Sequence, residues 1–110
     1  MKELKTENDL QNVLKESESQ TILIYKHSIN CHISGAAKER LEEGLSDGRL
    51  KMPIYILTVQ ESRDISEKIA EEFEIKHETP QVIVVKNRVP IYNESHYKVD
   101  PDIILENIKS

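Results

Sequence analysis

The sequence predicts a single α/β domain, covering residues 1–110, in which helices flank a central mixed sheet of four strands. Three observations lead to this prediction. Apolar, β-branched runs alternate with segments of helical period along much of the chain. A short turn joins the last two apolar runs. A length of 110 residues is enough for one modest hydrophobic core and too short for two.

The first helix is indicated by its start and by its apolar spacing. Thr6 together with Asp9 can cap a helix at its N-terminus. Leu10, Val13 and Leu14 then follow at intervals of three and four, which places them on one face.

Three later segments share this helical period, and each has a residue type that begins or ends a helix. Their apolar positions run from Ile33 to Leu45, from Ile65 to Phe73 and from Ile103 to Ile108. The boundary residues are Cys31 and Asp47-Gly48 for the second helix, Asp64 or Ser66 for the third, and Asp100-Pro101 for the last.

Four short apolar runs are predicted to be strands, at residues 21–26, 52–59, 82–85 and 89–94. The first is continuously apolar rather than alternating, which is typical of a strand buried on both faces. A turn is expected at Asn87-Arg88. Pro90 cannot donate to a hydrogen-bonded ladder, so the last strand is predicted at a sheet edge.

The order of these elements predicts their pairing. The early strand–helix–strand unit requires parallel strands with a right-handed crossover, whereas the short turn makes the last pair antiparallel. This is the layout of the thioredoxin fold. Cys31 between the first strand and second helix, and Pro80 before the third strand, agree with that layout.

The composition excludes several classes of function. A formal net charge of −5 argues against general affinity for nucleic acid or for an anionic membrane. The N-terminus is too polar for a signal peptide, and no apolar run approaches a membrane span. The single cysteine rules out an internal disulfide, fits a reducing cytoplasm and gives no zinc-ligand spacing with the histidines, so no metal is expected.

Cys31 is the candidate nucleophile. It stands in Cys31-His32-Ile33-Ser34, where a strand delivers it to a helix N-terminus. The free N–H groups of Ile33 and Ser34 are expected to favour the thiolate, with positive potential from Lys26, His27 and His32 nearby. The alternative is a small buried hydrophobic residue, although the polar neighbours of Cys31 disfavour burial.

Ser34 occupies the position of the second thiol in a Cys-x-x-Cys pair. A hydroxyl cannot resolve a mixed disulfide, but it can hydrogen-bond the Cys31 sulfur, cap the helix, or do both. The chain is therefore expected to act through one sulfur, forming mixed disulfides only with other molecules.

Thr79-Pro80 is the candidate ligand-binding segment. A proline before a strand and opposite a redox cysteine is where thioredoxin-like folds place a cis peptide bond, so cis is predicted here. The Thr79 backbone groups would then be unpaired and could bind a ligand as a short added strand. The alternative is an ordinary loop proline in trans.

The histidines carry different weight. His32 borders the nucleophile and can lower the pKa of its thiol or give a proton to a departing thiolate. His27 and His96 are expected at the same end of the sheet, where His27 is a candidate substrate-binding residue. His77 can equally be a surface residue.

Three segments in register resemble the YtxJ-type monothiol bacilliredoxins, which are thioredoxin-like proteins of the bacillithiol system. They are Tyr25-Lys26-His27-Ser28 leading into the Cys31 tetrapeptide, His77-Glu78-Thr79-Pro80-Gln81, and Ser95-His96-Tyr97. The chain departs from the family pattern at His32, where proline is usual, and at Thr79, where serine is usual.

The resemblance implies a cytoplasmic monothiol oxidoreductase that removes bacillithiol from S-bacillithiolated cysteines. It implies no tightly bound cofactor, with bacillithiol as co-substrate and bacillithiolated proteins as transient partners. Lys26, Arg63 and Lys98 are then candidates for binding the malate carboxylates of bacillithiol.

Two other functions stay open. Monothiol glutaredoxins, which carry iron–sulfur clusters, also use Cys-x-x-Ser, but they resemble Cys-Gly-Phe-Ser and have a Gly-Gly pair that is missing from 93–96 here. A non-enzymatic adaptor on a thioredoxin scaffold is the other, because a fold does not fix a function.

Overall fold

The computed structural model describes residues 1–108, so Lys109 and Ser110 of the predicted domain lie outside the described part. The helices are α1 (Glu7–Glu16), α2 (His32–Ser46), α3 (Arg63–Phe73) and α4 (Pro101–Asn107). The strands are β1 (Lys2–Glu3), β2 (Ile22–His27), β3 (Ile54–Thr58), β4 (Gln81–Lys86) and β5 (Val89–Ser95). A short 3-10 turn, His96–Lys98, joins β5 to α4.

The strands form one mixed sheet in the order β1-β3-β2-β4-β5. As predicted, β2 and β3 are parallel across α2, β4 and β5 are antiparallel, and β5 lies at an edge. The predicted sheet had four strands, and the structure adds β1. Its two residues pair with Tyr55 and Ile56 of β3 and are both exposed, so they carry no apolar pattern that predicts a strand.

The sheet separates two apolar clusters. One is formed with α1 and α3 and contains Ile22, Ile24 and Ile83 from the central strands. The other is formed with α2 and α4 and contains Leu23, Tyr25 and Val82. Successive residues of β2 therefore serve opposite clusters, as the period of two along a strand requires. This explains why Ile22 to Lys26 are all buried.

The helix boundaries largely follow the sequence signals. Thr6 and Asp9 form a complete capping box, and Asp100 caps α4 with Pro101 in its first turn. The start of α3 differs, because the helix begins at Arg63 with Ser62 as N-cap. Asp64 and Ser66, the predicted starting residues, therefore both lie inside this helix.

The β4–β5 hairpin is fastened to the end of α1. Asn87 and Arg88 have φ angles of 51° and 65°, and two such residues in succession suit a tight hairpin turn. The Asn87 N–H donates to the Ser17 carbonyl oxygen at 2.7 Å, and the Arg88 N–H donates to Ser17 Oγ at 2.9 Å. This hairpin tip lies beside the start of β2, since Ile22 pairs with Val85.

No helix within residues 1–108 is long and apolar enough to cross a membrane.

Candidate functional site

Cys31 lies at the N-terminus of α2, directly after the loop that follows β2. It is the N-cap residue, with φ −122° and ψ 122°, and it is a free thiol of intermediate exposure. Its carbonyl oxygen accepts the first helical hydrogen bond from the Gly35 N–H at 3.1 Å. The strand thus ends where the sulfur meets the unpaired N–H groups of a helix start.

The pKa of Cys31 is lowered from its ordinary value, mainly by the backbone N–H of Ser34 and then by that of Ile33. Partial desolvation acts in the opposite direction, and the Ser34 hydroxyl makes the smallest contribution. The Cys31 sulfur does not accept a capping hydrogen bond from these N–H groups. The effect is therefore that of N–H dipoles on a nearby negative charge. It comes from the helix start rather than from basic side chains.

Ser34 is not the helix cap. Ser34 lies in the first turn of α2, three positions after the N-cap Cys31. The prediction that it caps the helix is therefore wrong. Its side chain is fully buried, and its Oγ has no hydrogen-bond partner among the described residues. The hydroxyl is therefore free to donate to the Cys31 sulfur.

An open groove of about 550 Å³ adjoins Cys31. Its other lining residues are Ile29, Asn30, His32, Gly35, Ala36 and Glu39. His32 is exposed and lines this groove next to the sulfur, as its sequence position predicts. A small thiol could approach the Cys31 sulfur from this side.

Thr79 and Pro80 precede β4 and lie at the end of the sheet where β2 also ends. The Thr79–Pro80 peptide bond is cis, as predicted. Because Gln81 pairs with Lys26 in the antiparallel β2–β4 ladder, this segment sits beside the point where the chain leaves β2 for Cys31. No hydrogen bond within residues 1–108 involves the Thr79 backbone, whereas the Pro80 oxygen accepts from the His96 N–H at 2.8 Å. Thr79 is therefore available for an added strand.

Lys26 is not a surface residue, which corrects its interpretation as a group that binds substrate carboxylates. It is 0% exposed and lies beneath α3, on the face of the sheet opposite α2. Its Nζ donates to the Ser66 carbonyl oxygen at 3.2 Å and lies 3.3 Å from His77 Nδ1. Burial lowers the pKa of Lys26 to about 8.

His77 is an exposed residue that contacts the buried Lys26 and does not line the Cys31 groove. Its Nδ1 is 3.2 Å from Ser66 Oγ, and partial desolvation of the ring is the main cause that lowers the pKa of His77, with the Lys26 charge second. Gln81 lies on the same face and donates from Nε2 to the Lys76 carbonyl oxygen at 2.9 Å. These contacts therefore hold the loop that leads into Thr79.

His27 faces α2 and is half-buried. Its Nδ1 lies 2.9 Å from the Tyr25 hydroxyl oxygen, and burial lowers the pKa of His27. It does not line the groove beside Cys31, and its contact with substrate stays a prediction. His96 is exposed at the end of β5, next to Pro80, and has a φ of 60°.

Sequence reasoning missed Tyr25, which is fully buried and donates its hydroxyl to the Ser34 carbonyl oxygen at 2.7 Å. The available signal was a tyrosine hydroxyl at the end of the apolar run Ile22-Leu23-Ile24, six residues before the cysteine. Within residues 1–108 no group of three or more His, Cys, Asp or Glu side chains could hold a metal ion.

The fold and the site together define a class, that of thioredoxin-fold proteins that work through one thiol at a helix N-terminus. The model of the family described as monothiol bacilliredoxin BrxC matches residues 2–104. The chain belongs to the monothiol bacilliredoxin family, which gives it a thiol redox role.

Solved structures agree on the fold. A candidate oxidoreductase with a thioredoxin fold is 27% identical, with a TM-score of 0.88, over 98% of this chain and 93% of that one. Thioredoxin from Fasciola hepatica is 17% identical, with a TM-score of 0.75, over 98% and 96% of the two chains. Mitochondrial thioredoxin 3 from Saccharomyces cerevisiae is 18% identical, with a TM-score of 0.73, over 98% and 92%. At such low identities the two thioredoxins support the fold alone.

Proposed function

We propose that this protein removes bacillithiol from S-bacillithiolated cysteines by thiol–disulfide exchange through Cys31. The observation that carries the proposal is a solitary, partly exposed thiol whose pKa is lowered by the Ser34 and Ile33 N–H groups. The thiolate is the attacking species in such exchange, and it is most effective when its pKa lies near ambient pH. The family match supports bacillithiol as the small thiol.

In the first step the Cys31 thiolate attacks the bacillithiol sulfur of the modified target. The new S–S bond forms as the old one breaks, and the target cysteine leaves as a thiolate that takes a proton. His32, exposed beside the sulfur, is our candidate proton donor. In the second step another bacillithiol thiolate attacks the Cys31 disulfide, which releases oxidised bacillithiol and restores the Cys31 thiolate. A separate reductase could perform the same step.

The ligand is held by groups on both sides of the sulfur. The small thiol occupies the groove beside Cys31, and Thr79 pairs through its backbone with the cysteine-containing segment of the target. No tightly bound cofactor takes part, and the protein partners are transient mixed disulfides. We place the reaction in the reducing cytoplasm, where a free thiol persists.

Mass spectrometry of the purified protein mixed with a bacillithiolated target tests this proposal. Bacillithiol is expected to move to Cys31, with the target thiol freed in equal amount. Cys31→Ser should abolish transfer, because a hydroxyl is a far weaker nucleophile at neutral pH. A matched control is Ser46→Ala, an exposed residue at the far end of α2, which should transfer at the wild-type rate. A target that stays fully modified in the presence of the wild-type protein would refute the proposal.

A further inference from the structure

The first turn of α2 presents the N–H groups that stabilise the Cys31 thiolate, yet it lacks the usual local stabilisers of a helix start. Cys31 as N-cap makes no side-chain capping hydrogen bond, and the first turn contains no acidic residue. Both features normally strengthen a helix N-terminus. Gly35 follows at the fourth position and has the weakest helix propensity after proline. A contact from outside the helix would therefore add to the stability of this turn.

The Tyr25 hydroxyl is the group that reaches this turn from the sheet. It donates to the Ser34 carbonyl oxygen at 2.7 Å, in a buried contact between residues nine positions apart in the chain. Ser34 also carries the N–H with the largest effect on Cys31. A hydrogen bond on the Ser34 oxygen therefore fixes the residue whose N–H must point at the sulfur.

His27 holds the Tyr25 hydroxyl in its orientation. Because the hydroxyl hydrogen is used by the Ser34 oxygen, the Tyr25 oxygen accepts from His27 Nδ1–H at 2.9 Å. The two rings lie 5.6 Å apart at an interplanar angle of 51°. Burial raises the pKa of Tyr25, so the hydroxyl stays protonated and can donate at every physiological pH.

We propose that Tyr25 is a positioning residue for the thiol chemistry, whose hydroxyl pins the first turn of α2 and so aims the Ser34 and Ile33 N–H groups at Cys31. His27 assists by fixing the hydroxyl. The proposal depends on the proposed function only in that Cys31 reacts as a thiolate, and it holds whichever small thiol is the substrate.

Tyr25→Phe is the first test, because it removes the hydroxyl and keeps the packed ring. The pH dependence of alkylation by iodoacetamide gives the Cys31 pKa without interference, since the chain has one cysteine. The pKa is expected to rise, and alkylation below the wild-type pKa to slow by roughly three- to tenfold, in proportion to the lost thiolate. Exchange of the Gly35 amide hydrogen, which bonds to the Cys31 oxygen, is expected to accelerate.

Tyr55→Phe is the matched control. Its hydroxyl also makes a side-chain hydrogen bond, to the Glu16 carboxylate of α1, but it has no contact with the Cys31 turn. This variant loses a comparable hydrogen bond and should keep the wild-type Cys31 pKa. Thermal unfolding of both variants separates a general loss of stability from the specific effect on the thiol.

Tyr25→Phe combined with Gly35→Ala tests whether the effect passes through the turn. An alanine Cβ at position 35 meets nothing within 4 Å, so the substitution strengthens the first turn by propensity alone. It should restore part of the pKa lowering, and it serves as the test variant if Tyr25→Phe alone does not fold. An unchanged Cys31 pKa in folded Tyr25→Phe, or a rise that Gly35→Ala does not reverse, would overturn the proposal. Neither measurement uses bacillithiol, so a failure of bacillithiol transfer leaves this test intact.

Discussion

At the residue scale, two adjacent side chains of β2 contact the two segments of the candidate site. Tyr25 contacts the turn that carries Cys31, and Lys26 contacts the loop that leads to Thr79. Both are fully buried, but Tyr25 points to α2 and Lys26 to α3. Tyr25 fixes the turn that carries Cys31. Lys26 contacts His77, three residues before Pro80, and so helps to fix the loop that carries Thr79. Among residues 1–108 the buried Lys26 amino group contacts no carboxylate, and such burial costs stability because the charged form loses its hydration.

Lys26 should make stability depend on pH in a characteristic way. Its folded pKa, about 8, lies below the unfolded value of 10.5. The unfolded chain therefore binds more protons between these two values, and stability rises with pH across that window. We expect the free energy of unfolding of the wild type, minus that of Lys26→Met, to increase by about 2 kcal/mol from pH 7 to pH 10.

Urea unfolding of both proteins at several pH values measures this difference. Taking the difference between the two free energies of unfolding cancels the contributions of the other titrating groups, because both proteins contain them. A difference that stays constant from pH 7 to pH 10 would show that Lys26 keeps an ordinary pKa in the folded state. Lys68→Met is a suitable control, because its ammonium is exposed and pairs with Glu7 on the surface.

The residue scale is also where sequence reasoning failed most clearly. It predicted His32 beside Cys31 and the Thr79-Pro80 segment opposite Cys31. It took Lys26 for a surface cation, because a lysine at the end of a strand is usually solvated. Only the three-dimensional position of α3 shows that position 26 is covered. The Tyr25 contact with Ser34 joins two segments whose distance no local pattern encodes.

At the element scale, α2 is positioned by close approach as well as by its apolar face. Leu41 and Ala37 pack into the core, as their spacing predicts, and the buried Gly44 lies against α4. A Cβ at position 44 would come within 2.7 Å of Pro101 Cγ and 2.9 Å of Pro101 Cβ. Glycine is therefore required there for contact rather than for backbone conformation.

Gly44→Ala is expected to destabilise the protein by about 1–3 kcal/mol, because overpacking forces α2 away from Pro101. Gly35→Ala is the matched control on the same helix, and it should be stabilising by up to about 1 kcal/mol, since its Cβ meets no neighbour. Chemical denaturation of both variants gives the two free energies. Equal effects at the two positions would contradict this account of α2 packing.

The remaining elements were predicted to different degrees. Helix boundaries with a side-chain cap, such as Thr6 and Asp100, were found from the sequence because the capping chemistry is local. The α3 start was placed too late, since Ser62 caps without a side-chain bond to the helix. Strand β1 was missed because its two residues gain their order only by pairing with β3.

At the scale of the whole molecule, the chain has one thiol and a buried hydroxyl where a second thiol would stand. Every disulfide it forms must therefore join it to another molecule. This property follows from the sequence alone, and the structure adds that position 34 lies inside the protein next to the sulfur.

Ser34→Cys should convert this behaviour into that of a dithiol protein. Residues three apart in a helical turn lie within the Cα distance of about 4.4–6.8 Å that a disulfide needs. Mild oxidation is expected to remove two hydrogens from the mass and to reduce capture of mixed disulfides. Intact-mass spectrometry measures both, with Ser46→Cys at the exposed far end of α2 as the control. Persistence of intermolecular disulfides in Ser34→Cys at the wild-type level would contradict the prediction.

Hydrogen bonds to Ser17 hold the tip of the β4–β5 hairpin at the end of the sheet opposite Cys31. Asn87 and Arg88 are exposed there, and they lie across the length of the sheet from Cys31. A fluorophore or solid support attached at this tip would sit on a rigid base and leave the thiol facing outward. In such immobilised protein the Cys31 thiol stays accessible, because the attachment point and the thiol lie at opposite ends of the sheet.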